Sequence, residues 1–165
     1  MIREAMQKDC ENLAALSIQV WLDTYATQGV NTAISQYALS TSTHNHFSDL
    51  LKQPAINTFI YEEDDHLVGF VTINLASRFN DNDAFGYEIA TLYVSRDFQG
   101  KGIGRTLLDH VSRLYGRDYW LSVWVQNQGA LQFYARLGLL EVGKTQFELD
   151  GEAHQNLILS PTAAK

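Results

Sequence analysis

Hydrophobic positions along the chain switch repeatedly between a period near 3.6 and a period of 2. Residues 2–5 predict a short first strand. Asp9 suits a helix N-cap, and after it Leu13, Leu16, Val20 and Trp21 recur at helical spacing towards a stop near Gly29. A second helical region is expected over 32–53, where Ile34, Tyr37, Leu39, Phe47, Leu50 and Leu51 are interrupted by the polar residues 40–46. Strands follow at 58–62 and 67–75, joined through the acidic turn Glu63-Asp64-Asp65-His66, and then a polar loop over 77–83.

The second half repeats a strand-then-helix order. Branched and aromatic residues predict a strand at 87–94, leading through a glycine-rich turn into a helix over 102–115 with Leu107, Leu108, Val111 and Leu114 on one face. A strand at 119–125 and a helix at 129–137 come next. Segments 141–149 and 152–159 flank Asp150-Gly151, a two-residue hairpin signal. The pattern predicts one domain over 1–165 with a mixed α/β sheet that is antiparallel in part.

Composition narrows the classes. At 45% hydrophobic residues, with eleven glycines and two prolines among 165, the chain is neither disordered nor collagen-like. A single cysteine, Cys10, excludes an intrachain disulfide and any multi-cysteine metal site, and suits a cytoplasmic protein. His44-x-His46 lacks an evident third ligand, so no metal is expected. No run approaches the roughly 20 apolar residues of a membrane helix. A net charge of −7 disfavours nucleic acid and favours cationic partners.

The chemistry concentrates after Leu92-Tyr93-Val94. There Gln99-Gly100-Lys101-Gly102-Ile103-Gly104-Arg105 runs from strand to helix, so unpaired helix-start amides can meet an anion without side-chain obstruction. A tight turn with incidental glycines reads the same spacing more plainly. The glycines do not fit the dinucleotide fingerprint, and no Gly-Lys-Ser/Thr follows as a P-loop needs.

The segment resembles the acyl-CoA signature of the GCN5-related N-acetyltransferase (GNAT) family: Gln or Arg, two residues, Gly, one residue, then Gly or Ala. Gln99, Gly102 and Gly104 match it. Residues 127–139 are similar to a second family segment, Asn-x-x-Ala-x-x-Phe-Tyr-x-x-x-Gly-Phe, with Leu139 in place of the last Phe. The resemblance spans about residues 2–159 and is specific over 87–139.

The resemblance implies a mixed, mostly antiparallel sheet flanked by helices, whose two central parallel strands splay to admit acetyl-CoA as co-substrate. Leu92, Tyr93 and Val94 match the strand end that pairs with the pantetheine arm, and Gln99, Gly100, Lys101, Gly102, Ile103, Gly104 and Arg105 match the pyrophosphate loop. Asn127 matches the side chain that bonds the arm. Tyr134 matches the general acid, with a core aromatic beside Leu131 and Leu137 as the plainer reading. Glu88 stands where some members hold a catalytic base. An exposed or cation-paired carboxylate is the alternative, and a water chain could replace it. Simple alternation puts residues 88, 90 and 92 on one side of their strand. Ser122 occupies a position where other members carry a glutamate.

The expected reaction is acetyl transfer to a primary amine, a small cationic amine such as a polyamine, by direct attack on the thioester. A peptide or protein N-terminal amine, or an acyl-CoA-binding module without turnover, are the alternatives. Trp21, Tyr25 and Asp23 lie where the family builds its acceptor site, although both aromatics also suit plain packing. Exposed aromatics and the final hairpin are compatible with a homodimer.

Overall fold

A computed structural model describes residues 1–149 and 151–162. Seven strands form one sheet: β1 (Ile2–Glu4), β2 (Ile56–Glu63), β3 (His66–Asn74), β4 (Tyr87–Val94), β5 (Tyr119–Trp124), β6 (Leu140–Leu149) and β7 (Glu152–Ser160), in the order β1-β2-β3-β4-β5-β7-β6. Only β4 and β5 run parallel among these pairs. Helices α1 (Cys10–Tyr25), α2 (Thr32–Thr41), α3 (His44–Leu50), α4 (Ile103–Tyr115) and α5 (Gln128–Arg136) complete the fold. Asp150, half of the expected two-residue turn, lies outside the described residues.

Strand alternation divides the core. On one face Phe59, Val71, Ile73, Tyr87, Ile89, Leu121 and Val123 pack against Leu107, Leu108 and Val111 of α4 and Tyr134 of α5. On the other, Ile60 and Phe70 pack against Leu13, Leu16 and Phe47. Farther along this second face Trp120 and Ile158 lie under Phe85 and Phe79 from the β3–β4 loop. A Cβ on Gly143 would come within 2.4 Å of the Phe79 ring, so that glycine is what seats the loop.

The region 32–53 is two helices. Asn31 caps α2 by accepting the Ile34 N–H at 2.9 Å, and Thr43, inside the polar interruption, caps α3 by accepting the His46 N–H at 3.1 Å. The first helix ends at Tyr25 rather than near Gly29, because Ala26, at φ −95° and ψ 42°, has already left helical geometry.

Asp9 occupies the expected N-cap position of α1, but its side chain makes no capping bond: its backbone is already helical, and the residue is 4% exposed. It accepts two bonds from the Arg3 guanidinium, at 2.8 and 2.9 Å, and one from the Met6 N–H at 2.7 Å, while Arg3 also bonds Glu62 at 2.7 Å. Arg3 thus ties β1, β2 and the approach to α1 together. Its hydrogen bonds hold the Asp9 carboxyl below the usual carboxylate range against the opposing effect of burial.

A group with a depressed folded pKa stabilises the fold above its unfolded pKa of about 3.9, and that contribution disappears as pH falls through the folded value. Asp9→Asn is therefore expected to cost about 2 kcal/mol at pH 7. Urea unfolding should show the gap to the unsubstituted protein narrowing towards pH 3; an equal gap at both pH values would contradict this role.

Candidate functional site

The parallel pairing of β4 with β5 lasts two residues, Tyr87↔Tyr119 and Glu88↔Trp120. At that end the strands are clamped. A Cβ on Gly86 would fall 1.8 Å from the Asp118 carbonyl oxygen, and the Tyr87 hydroxyl donates to the Gly116 carbonyl at 2.9 Å. Beyond Glu88 they separate, β4 keeping its bonds to β3 and β5 its bonds to β7. Ser95 N–H donates to the Val68 carbonyl, so by the alternation of an antiparallel ladder the Leu92 and Val94 peptide groups turn away from β3 and into the gap.

A bulge corrects the expected alternation on β4. The register passes from Thr72↔Thr91 to Ile73↔Ile89, leaving Ala90 extra. Tyr87 and Ile89 before it share the α4 face with Leu92 and Val94 after it. Glu88 consequently shares the other face with Tyr93, not with Leu92. On that face Ala90 and Ser122 are exposed in the middle of the sheet, so a cleft opens there.

The strand end, loop and helix start expected to act together are contiguous. Gln99 Nε2 donates to the Val94 carbonyl at 3.1 Å, anchoring the loop to β4. Gly100 and Gly102 adopt φ 78° and 81°, and a Cβ on either would meet nothing, so their conformation is what demands glycine and their outer side is open. No side chain caps α4, whose first-turn amides face that opening. Gly104 has a different reason: its Cβ would lie 3.1 Å from the Phe133 ring, so it lets α5 approach α4. Ile103 is buried. Lys101 sits 4.7 Å above the Phe98 ring and Arg105 is exposed, 4.0 Å from Asp109. Oriented amides, an open outer side and two exposed cations form a donor set that suits a diphosphate.

Asn127 caps α5, its Oδ1 accepting the Ala130 N–H at 3.2 Å. Tyr134 is 7% exposed and enters the core from α5, so the plainer reading of a packed aromatic describes its ring. Burial pushes its phenol above the ordinary range, and the neighbouring phenols Tyr119 and Tyr93 add to the rise. Glu88 is half-buried, and desolvation raises its carboxyl. Val94 lies six residues beyond Glu88, about 20 Å of extended strand.

The structure brings Trp21 and Tyr25 to a feature the periodicity did not foretell. They stack with Tyr37 and Trp124, at centroid distances of 4.6, 4.8 and 4.7 Å, and Phe147 meets Tyr25 edge-on at 6.0 Å. These rings come from α1, α2, β5 and β6, and the sheet order brings the last two to the helices. The aromatic role expected of α1 therefore depends on Tyr37 in the next helix and on Trp124 and Phe147 from the far end of the chain.

Gly102→Ala is expected to cost about 1 kcal/mol through backbone strain and to weaken coenzyme A binding several-fold by calorimetry. Gly116→Ala, at φ 102° and outside the loop, should lose comparable stability with unchanged affinity. Equal affinity loss in both would mean that the loop is not the binding element.

The acetyltransferase (GNAT) family model matches residues 15–139. An uncharacterized N-acetyltransferase of Lactobacillus delbrueckii subsp. lactis is 23% identical over 96% of this chain and 94% of its own. A probable spermine N(1)-acetyltransferase of Bacillus subtilis subsp. natto is 29% identical over 53% of this chain and 61% of its own. The crystal structure of the PaiA N-acetyltransferase from Thermoplasma acidophilum in complex with coenzyme A superposes with a TM-score of 0.75, covering 95% of this chain and 96% of that one at 20% identity. This chain is a member of the GNAT family, an acyltransferase that uses acetyl-CoA.

Proposed function

We propose that the protein acetylates the primary amine of a small cationic acceptor at the gap between β4 and β5, with Glu88 as base and Tyr134 as acid. The observation that carries this reading is the placement of the two groups on opposite faces of the sheet, either side of strands that part between them. Acetyl-CoA supplies the acetyl group as a thioester. The first-turn amides of α4, with Gly100, Gly102 and Gln99 shaping the loop, hold its diphosphate; Lys101 and Arg105 add charge. Leu92 and Val94 offer peptide groups, and Asn127 its Nδ2, to the arm.

The acceptor nitrogen must lose a proton, because an alkylammonium with a pKa near 10 cannot attack at neutral pH. Glu88 takes that proton from the ammonium and passes it to solvent. As nitrogen then bonds the carbonyl carbon and the carbon–sulfur bond breaks, Tyr134 donates to the sulfur and is reprotonated by the second proton leaving nitrogen, which yields an amide and a free thiol. A raised phenol is suited to remain protonated until that moment. The aromatic cluster around Tyr25 and the net charge of −7 favour a cationic acceptor.

Thiol release with acetyl-CoA across polyamines, amino acids, peptides and simple amines tests this directly. Glu88→Gln and Tyr134→Phe should each lower kcat by about 10²–10⁴ with coenzyme A affinity retained. Glu88 acts deprotonated, so its raised pKa places the acid limb of the rate profile above the usual glutamate value of about 4.3. Tyr134 acts protonated, so the alkaline limb lies above about 10. Undiminished kcat in either variant would remove that residue from the chemistry.

A further inference from the structure

A cavity of about 220 Å³ lies beside the cleft, between the helices and the β6–β7 hairpin, lined by Trp21, Tyr25, Tyr37, Phe147, Glu148 and Asn156. It is smaller than the pockets of roughly 300–1,000 Å³ that take drug-sized ligands, so it suits one end of a small molecule. Its aromatic walls carry no cation: the one cation–π contact among the described residues is Lys101 over Phe98.

Two polar atoms, one on the lining residue Asn156 and one on Trp124 behind the Tyr25 ring, have no partner. Asn156 Nδ2 donates to Ser122 Oγ at 2.9 Å, which fixes the amide and aims its Oδ1 the other way, and that oxygen is buried without a donor. Trp124 faces Asn156 directly across the β5–β7 ladder, and its Nε1–H is buried without an acceptor. Buried polar groups in native proteins are nearly always satisfied, so a neighbouring unpaired donor and acceptor point to a missing partner.

That partner must offer both functions. An ammonium has donors only and leaves the Trp124 N–H unpaired. A carboxylate has acceptors only and sets its charge against Asn156 Oδ1. A carboxamide or peptide group has one carbonyl for Trp124 and one N–H for Asn156, and its planar face stacks well on Tyr and Trp rings. Neither atom touches solvent in the free protein, so the group enters by displacing a covering ring.

We infer that the acceptor carries an amide in addition to its reacting amine, an aminoacyl amide or a short peptide, and that Trp124 and Asn156 bind this amide. The inference rests on the reading that an amine is acetylated in the neighbouring gap. Polyamines, which have no acceptor oxygen, are then poor substrates.

The test compares kcat/KM by thiol release for glycinamide, glycylglycinamide, propylamine, putrescine and spermidine. Amide-bearing amines should exceed the others by tenfold or more, mainly through KM. Trp124→Phe keeps an aromatic ring on Tyr25 and removes the N–H together with part of the indole surface; Asn156→Leu keeps the volume and removes the acceptor. Each should cut the preference for glycylglycinamide over propylamine to about threefold or less, with thermal unfolding checking that the variants fold. Polyamines ahead of amides in the unsubstituted protein, or an amide preference that survives in both folded variants, would overturn the inference alone. Failure to acetylate any of the five amines by protein that binds coenzyme A would overturn the acetyl-transfer reading and this inference with it.

Discussion

The brevity of one strand pairing governs the rest of this molecule. β4 and β5 are neighbours for two residues and are then carried apart, each held by a different antiparallel partner. A parallel pair that stayed zipped would satisfy its own backbone groups. Here the Leu92 peptide groups and the Val94 N–H face a gap in the centre of the sheet, the Val94 carbonyl being taken by Gln99, and unpaired backbone polarity at such a place is a standing demand for a ligand. The clamp at Gly86 and Tyr87 fixes where the separation starts, so the gap has a closed end and an open one.

The open end is where we propose that a strongly anionic carrier is gripped by a protein of net charge −7. Long-range attraction works against that encounter, and the binding has to come from dipoles close at hand: the uncapped first turn of α4 and two glycines whose positive φ turns the amides outward. The closed end is different in character. Burial raises the Glu88 carboxyl there and, across the sheet, the Tyr134 phenol, the two groups we propose as base and acid.

Much of this was legible in the chain. The spacing of Gln99, Gly102 and Gly104 between a β-rich run and an amphipathic helix identified the loop because glycine at positive φ and an uncapped helix start are local requirements. The strand bounds 87–94 were also local. What escaped was whatever depended on distant partners. The bulge at Ala90, which moves Glu88 onto the face of Tyr93, is visible only as a register change against β3. Asp9 read as a cap because the arginine that claims it belongs to another strand. Trp124 and Asn156 carried no signal at all until the β5–β7 register set them opposite each other. Gly104 was assigned to the anion loop with its neighbours, yet its small size also serves Phe133 on the next helix.

Amide hydrogen exchange, residue by residue, reaches the central claim without passing through catalysis. In the free protein Leu92 and Val94 should exchange quickly although they lie in a central strand, whereas Tyr93, whose N–H faces β3, should exchange slowly. Saturating coenzyme A should slow Leu92 and Val94 and leave Tyr93 as it was. Fast exchange at Leu92 and Val94 that persists under saturating coenzyme A would contradict the account, because the open edge of β4 would then not be the seat of the carrier.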